Sequence, residues 1–463
     1  MQSVNPATGE TFATYEDHTT EQVQAAVAAA HAAYGTYRRT SFEQRSEWMN
    51  AAADILERRV DELALLATRE MGKTLEAARQ EVLKCASACR YYAEHAGAFL
   101  ASEPVQTGAD EAFVTYQPLG VVLAVMPWNF PYWQAFRFIA PTLMAGNTGL
   151  LKHASNVPGC ALAIEDVLRE AGFPAGVFTT LLIGSRDVEA VLKDPRVTAV
   201  SLTGSEGAGR AVSATAGGEL KPAVMELGGS DPFIVMPSAD IELAAKTAVT
   251  ARTINNGHSC IAAKRFIVHA DVYDAFTDAF VAGLSALKVG NPELEGTDVG
   301  PLATPQIRED IHAQVQDAVS KGARVRTGGQ VPDGAGNYYP VTALDGLTPD
   351  MDVWTQETFG PVALIFRVDS LDGAVELANS TSFGLGSSAW TNDPAERGRF
   401  IADLEAGSVF INSMVASDPR LPFGGVKNSG FGRELGRHGI LQFVNVKSVS
   451  IGAPEGAHHS KTE

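Results

Sequence analysis

The chain has 463 residues, 45% of them hydrophobic, which is ample for a buried core and more than one ordinary domain needs, so two or three domains are expected. Its 36 Lys and Arg face 54 Asp and Glu, a formal charge of −18, and without a basic patch this excludes a nucleic-acid surface. Four cysteines, Cys85, Cys89, Cys160 and Cys260, have neither zinc-ligand spacing nor the density of a disulfide scaffold, so no metal site is expected and a reducing compartment fits best.

The start, Met1 to Glu10, has no basic end followed by an apolar run, and apolar stretches elsewhere break well before about 18 positions. A soluble, cytoplasmic protein with no membrane span is expected. Segments 20–38, 41–71 and 74–100 carry alanine-rich helical periodicity, with Ser41 and Gln44 placed as a capping box and Gly72 as a stop. Cys85 and Cys89 share a face of the last of these and read as packed residues. From Phe113 the texture changes to strands, 113–116 and 121–126, followed by a Pro-rich turn and an apolar helix near 134–144. Strands 149–152, 177–183 and 197–202 then alternate with helices near 157–170 and 187–192, the pattern of an α/β fold with a parallel sheet covered on both faces. A second α/β series begins after Gly229, with strands 233–236 and 265–269, a helix from Asp240 and another over 273–287. Near the end, 444–451 alternates as a strand would and could pair with 113–116.

The candidate nucleophile is Cys260. The helical run 241–253 gives way to Asn255, Asn256 and Gly257, which break a helix and favour a tight turn just before the thiol. A cysteine reacts only as thiolate, which nearby backbone N–H groups and positive charges favour, although an inert packed cysteine would look the same in isolation. Strand 197–202 runs into Thr203-Gly204-Ser205-Glu206-Gly207-Ala208-Gly209 and a helix, an arrangement that offers N–H groups to a phosphate. Its spacing is not G-x-G-x-x-G, and a plain strand-to-helix turn reads the same way. Pro127-Trp128-Asn129-Phe130-Pro131 and Met225-Glu226-Leu227-Gly228-Gly229 each place a polar side chain amid apolar neighbours. A desolvated glutamate has a raised pKa suited to a general base, and an asparagine amide can donate to an oxyanion. Glu357-Thr358-Phe359-Gly360-Pro361 adds a carboxylate beside an aromatic.

Together with Lys152 and the run Pro422 to Glu434, these segments resemble the aldehyde dehydrogenase superfamily, in that family's order, over about 5–451. Residues 151–154 and 228–235 are similar to the shorter bacterial succinate-semialdehyde dehydrogenases. The resemblance implies a cofactor-binding domain with an atypical Rossmann sheet (1–103 and 119–229) and an α/β catalytic domain (230–430). It further implies a small β excursion for oligomerisation (104–118 and 431–455) and homodimers or homotetramers; the tail at 456–463 is expected to be disordered because the end of the chain is polar. It also implies Cys260 as nucleophile, Glu226 as the base that activates water, and Asn129 with the Cys260 N–H as oxyanion donors. Trp128, Lys152, Ser155, Gly204, Ser205, Leu227, Glu357 and Phe359 would hold the dinucleotide, and Arg137, Ser417 and Arg420 a substrate carboxylate. NADP is expected over NAD, which stays possible, because Ser155 stands where many NAD-dependent members have glutamate. A helix cap is the other reading of Ser155. His258 replaces the family's usual glutamine, which should change local packing rather than chemistry, and Ile261 leaves Cys260 without a neighbouring cysteine. The expected reaction is oxidation of an aldehyde, with succinate semialdehyde leading and another small aliphatic or carboxylated aldehyde as the alternative. Coenzyme A as acceptor and a non-catalytic scaffold with the same fold are the competing readings.

Overall fold

The computed structural model describes residues 1–452, so the expected tail at 456–463 lies outside the described residues. The N-terminal helices are Thr20–Tyr37, Phe42–Arg58, Val60–Met71 and Leu75–Phe99. Where periodicity predicts one helix over 41–71, the backbone breaks at Arg59 (φ −98°, ψ 17°), with no glycine or proline to announce it. Ser41 accepts from the Gln44 N–H but lacks the reciprocal bond; the complete capping box is Thr19 with Gln22. Gly72, at φ 86°, ends Val60–Met71 in the left-handed conformation expected of a stop.

A six-stranded sheet forms the first layer system. Ala223–Glu226, Val197–Thr203, Val121–Met126, Thr148–His153 and Phe178–Thr180 run parallel in that spatial order, and Gly430–Phe431 adds antiparallel at one edge. Its strands are apolar runs because helices cover both faces. One of these helices, Trp133–Met144, is buried all round. Its first turn is held by Glu81, whose Oε1 accepts from the Tyr132 and Trp133 N–H groups at 2.8 and 2.9 Å while the same carboxylate pairs with the fully buried Lys73. A buried charge of this kind is tolerated because both a counter-ion and N–H donors satisfy it.

The second sheet has seven strands, with Arg324–Thr327 antiparallel at one edge and Thr342–Asp345, Val362–Val368, Ala263–His269, Asp231–Val235, Gly386–Trp390 and Ser408–Ile411 parallel. Val444–Ile451 pairs antiparallel with Glu111–Pro118, as its alternation led us to expect, and Glu103–Pro104 completes a three-stranded excursion. The chain crosses between the two large sheets at Leu227 to Ser230, between Ala223–Glu226 and Asp231–Val235. Close approach makes this crossing glycine-specific: a Cβ on Gly228 would lie 2.6 Å from Glu357 Oε2, and one on Gly229 2.5 Å from the Cys260 carbonyl oxygen. Among the described residues, no helix is long and apolar enough to cross a membrane.

Candidate active site

Helix Ile241–Thr253 ends in a left-handed turn formed by Asn255 (φ 55°), Asn256 (φ 58°) and Gly257 (φ 79°). Asparagine enters this region because its short amide can bond locally, and both amides are used here. Asn255 Nδ2 donates to the carbonyls of Asn129 and His258 at 2.6 and 3.0 Å, and Asn256 Nδ2 donates to Gly72 O at 2.8 Å. Gly257 packs on the backbone of Gly360 with no room for a Cβ. The turn delivers Cys260 half-buried, with a backbone N–H that donates to no other group among the described residues. Behind it, Lys264 Nζ donates to the carbonyls of Ser259 and Cys260 at 2.8 and 2.6 Å and pairs with Glu357 at 3.0 Å. Burial pushes the Cys260 thiol up, to about 12, while Lys264 and Arg137 draw it back. A thiol held this high is protonated near neutral pH, so any use of it as a nucleophile would need a proton acceptor.

Asn129, only 3% exposed, uses one amide hydrogen on the His258 carbonyl at 3.0 Å. The second hydrogen of the same nitrogen is free to donate. His258 lies against Trp128 and Phe359, with ring centroids 4.9 and 5.7 Å away, and burial lowers it to about 3, so it acts as a neutral aromatic spacer. Glu226 ends its strand 2% exposed, with neither carboxylate oxygen hydrogen-bonded. Burial and the neighbouring Glu434 raise its pKa to about 8, against the pull of Arg137 and Arg433. A buried, unpartnered carboxylate of that basicity suits proton abstraction near neutral pH.

Cys260 opens onto a cavity of about 220 Å³. One wall is helix Leu75–Phe99, which presents Ala77, Gln80, Glu81 and Lys84; others are Phe130, Trp133 and Arg137, and a loop bearing Val415 and Ser417. Arg137, buried as its flanking phenylalanines suggest, is not a free clamp. It forms an ion pair with Glu434, reaches Thr203 Oγ1 at 3.3 Å and stacks on Phe423 at 4.5 Å. Ser417 Oγ accepts from Lys84 Nζ at 2.7 Å. Arg420 does not line the cavity: it is exposed, and its guanidinium is held by Asp418 at 2.6 and 2.8 Å.

The remaining predicted residues align along the carboxyl edge of the six-stranded sheet, where ligands bind in open α/β folds. Val125 pairs with Lys152 on one side and Leu202 on the other, and Thr203 pairs with Glu226. This register brings Trp128, Lys152, Gly204 and Leu227 to one rim, with Glu357 and Phe359 facing it across Gly228. Lys152 is 7% exposed, and burial alone lowers its pKa with no counter-charge contributing. Ser155 is exposed in the turn after the strand and caps nothing, because the following helix, Pro158–Glu170, has Val157 at its N-cap. Ser205 instead caps Glu206–Gly218, accepting from Ala208 N at 3.4 Å. An ammonium at this rim with no counter-charge fits an anionic dinucleotide.

The sequence model of the aldehyde dehydrogenase family matches residues 1–449. The chain belongs to this family. A succinate-semialdehyde dehydrogenase (NADP+) 1 from Mycobacterium tuberculosis is 60% identical over 97% of the chain and 99% of that relative. The protein of the same name from Mycobacterium ulcerans is 58% identical over 97% and 99%. A solved succinic semialdehyde dehydrogenase from Streptococcus pyogenes, in complex with NADP+, superposes with a TM-score of 0.95 at 38% identity, covering 98% of this chain and 100% of that one. For an aldehyde dehydrogenase, the side chains that sequence reasoning missed are Lys84, Lys264 and Glu434. Lys84 had a readable signal, because Ala77, Gln80, Glu81 and Lys84 recur at the spacing of one helix face. Lys264 and Glu434 had none, since their partners Glu357 and Arg137 come from distant parts of the chain.

Proposed function

We propose that this aldehyde dehydrogenase oxidises succinate semialdehyde with NADP and water to succinate, NADPH and protons. The observation that carries the reading is the cavity itself, in which Cys260 shares walls with Lys84, Arg137 and Ser417, a nucleophile and cationic groups for an aldehyde that bears a carboxylate. Cys260 gives up its proton to solvent and adds as thiolate to the carbonyl carbon, and the developing oxyanion accepts from the Asn129 amide and the Cys260 backbone N–H. The bound nicotinamide dinucleotide supplies the hydride acceptor that the protein's own groups lack. Glu226 then takes a proton from water, which attacks the thioester and frees the Cys260 sulfur. Lys152 and Ser155 are the proposed contacts for the adenosine ribose and its 2′-phosphate, Glu357 and Phe359 for the nicotinamide ribose, and Trp128, Gly204, Ser205 and Leu227 for the rest of the rim.

Four free thiols, three of them buried, support a reducing cytoplasm as the compartment. The edge strand Val444–Ile451, which leaves Val446 and Ile451 exposed and one row of backbone groups unpaired, supports a homodimer or homotetramer. The test of function is NADPH formation from succinate semialdehyde, with and without coenzyme A. Turnover in water that coenzyme A does not accelerate is expected. Absence of turnover, or a requirement for coenzyme A, would refute the reading.

A further inference from the structure

We propose that Lys264 is a positioning residue for the oxyanion: its ammonium polarises and orients the Ser259–Cys260 peptide, so that the Cys260 N–H meets the developing charge as a fixed and strengthened donor. The proposal rests on the reaction proposed above and adds to it a cation that touches neither the substrate nor the sulfur. The Ser259 carbonyl and the Cys260 N–H are the two ends of one peptide unit, in which a hydrogen bond accepted at the oxygen strengthens the N–H as a donor. That oxygen accepts from Lys264 Nζ at 2.8 Å and from the Ala262 N–H at 3.1 Å. Lys264 Nζ also holds the next carbonyl, that of Cys260, at 2.6 Å. The peptide units on both sides of Cys260 are therefore tied to one atom. A trans peptide directs its N–H opposite to its C=O, so a cation seated at Ser259 O leaves the Cys260 N–H pointing away from it.

An ammonium has three protons, and here each has an oxygen: Ser259 O, Cys260 O and Glu357 Oε1, the last at 3.0 Å. Such a group has no lone pair with which to take the thiol proton, and its contribution is its field. The Lys264 side chain is wholly buried, so solvent screens it little, whereas Glu357 is 18% exposed and screened more. Asp231, the other carboxylate close by, is raised to about 7 by burial and is partly protonated near neutral pH. Neither carboxylate cancels the charge on Lys264. The same bonds join the backbone of the nucleophile to Glu357, the proposed ribose contact, so the test has to separate an effect on the oxyanion from an effect on the cofactor.

Three rate constants do so, with enzyme in excess over succinate semialdehyde and NADP saturating. Acylation with hydride transfer is read as NADPH absorbance, thioester hydrolysis as succinate after an acid quench, and alkylation of Cys260 by iodoacetamide as mass gain. Alkylation consumes the thiolate without forming an oxyanion. In Lys264→Met, acylation relative to alkylation should fall about tenfold and hydrolysis should fall about tenfold, short of the about 10²- to 10³-fold cost of removing an oxyanion donor outright. An unchanged ratio of acylation to alkylation would show that only the sulfur was disturbed. Slower acylation and a raised KM for NADP with unchanged hydrolysis would show that only Glu357 moved. Either result overturns the proposal and leaves the functional reading in place. Glu357→Gln removes the counter-ion of Lys264, so hydrolysis should quicken about threefold although NADP binding weakens. Unchanged or slower hydrolysis in that variant also overturns the proposal, and it decides alone if Lys264→Met does not fold. A wild type that forms no succinate overturns both the proposal and the functional reading.

Discussion

Replacing Glu226 by glutamine keeps the shape of a side chain that is 2% exposed while removing its ability to accept a proton from water. With its pKa raised to about 8 by burial and Glu434, the wild-type carboxylate is about a tenth ionised at pH 7 and about nine-tenths ionised at pH 9. If hydrolysis of the thioester limits turnover, the steady-state rate should rise about tenfold over that interval. Stopped-flow absorbance of the reduced nicotinamide separates the first turnover from the rest. Glu226→Gln should give a burst near one equivalent per site, then a steady rate about 10²- to 10⁴-fold below wild type with no inflection near pH 8. Stability follows with a definite sign. A carboxyl group whose folded pKa lies above its ordinary 4.5 stabilises the fold fully below that value, and the contribution is lost as pH rises through about 8. The variant should therefore gain thermal stability over wild type at pH 9 and not at pH 4. Steady turnover within tenfold of wild type would sink the assignment. Loss of the burst while Cys260 is still alkylated would show that acylation also depends on this carboxylate.

Cys260→Ala should retain NADP binding, measured by calorimetry, and lose both burst and turnover; residual activity above a few per cent would refute the nucleophile. Ser155→Glu adds a carboxylate three positions after Lys152, at the proposed 2′-phosphate contacts, which would be worth roughly 1.5–3 kcal/mol, so kcat/KM should move toward NAD by about one to two decades. A wild type that favours NAD, or an unmoved preference in the variant, contradicts the site. Arg137→Ala leaves Glu434 unpaired and removes one of the two cations that hold the Glu226 pKa down, so succinate semialdehyde and butyraldehyde should both lose rate, and the Glu226 inflection should shift above pH 8. A selective rise in KM for succinate semialdehyde alone would return the carboxylate contact to Arg137. Gly257→Ala must place a Cβ against the Gly360 backbone at φ 79°, and a destabilisation of about 1–3 kcal/mol, read by denaturant unfolding, is expected.

Periodicity made the buried strands and most helices readable, because a sheet covered on both faces must be apolar along its whole length, as Val121–Met126 and Asp231–Val235 are. The turn before Cys260 was readable for a local reason, since Asn255, Asn256 and Gly257 are residues that accept a left-handed backbone. The break at Arg59 was not, because nothing in its composition separates it from the helix interior on either side. The cationic side chains show where local reading stops. Arg137 and Arg420 were both expected to grip a carboxylate, whereas Lys84 was not singled out on its long helix. What distinguishes them is the company each keeps: Glu434 for Arg137, Asp418 for Arg420, and for Lys84 a hydroxyl 333 positions away. Arg420 alone finds its partner nearby, two residues back, a distance at which the pairing could have been foreseen. The others are decided by which strands and helices pack together. A charge in such a cavity has a function only in relation to what already neutralises it, and that relation is a property of the fold.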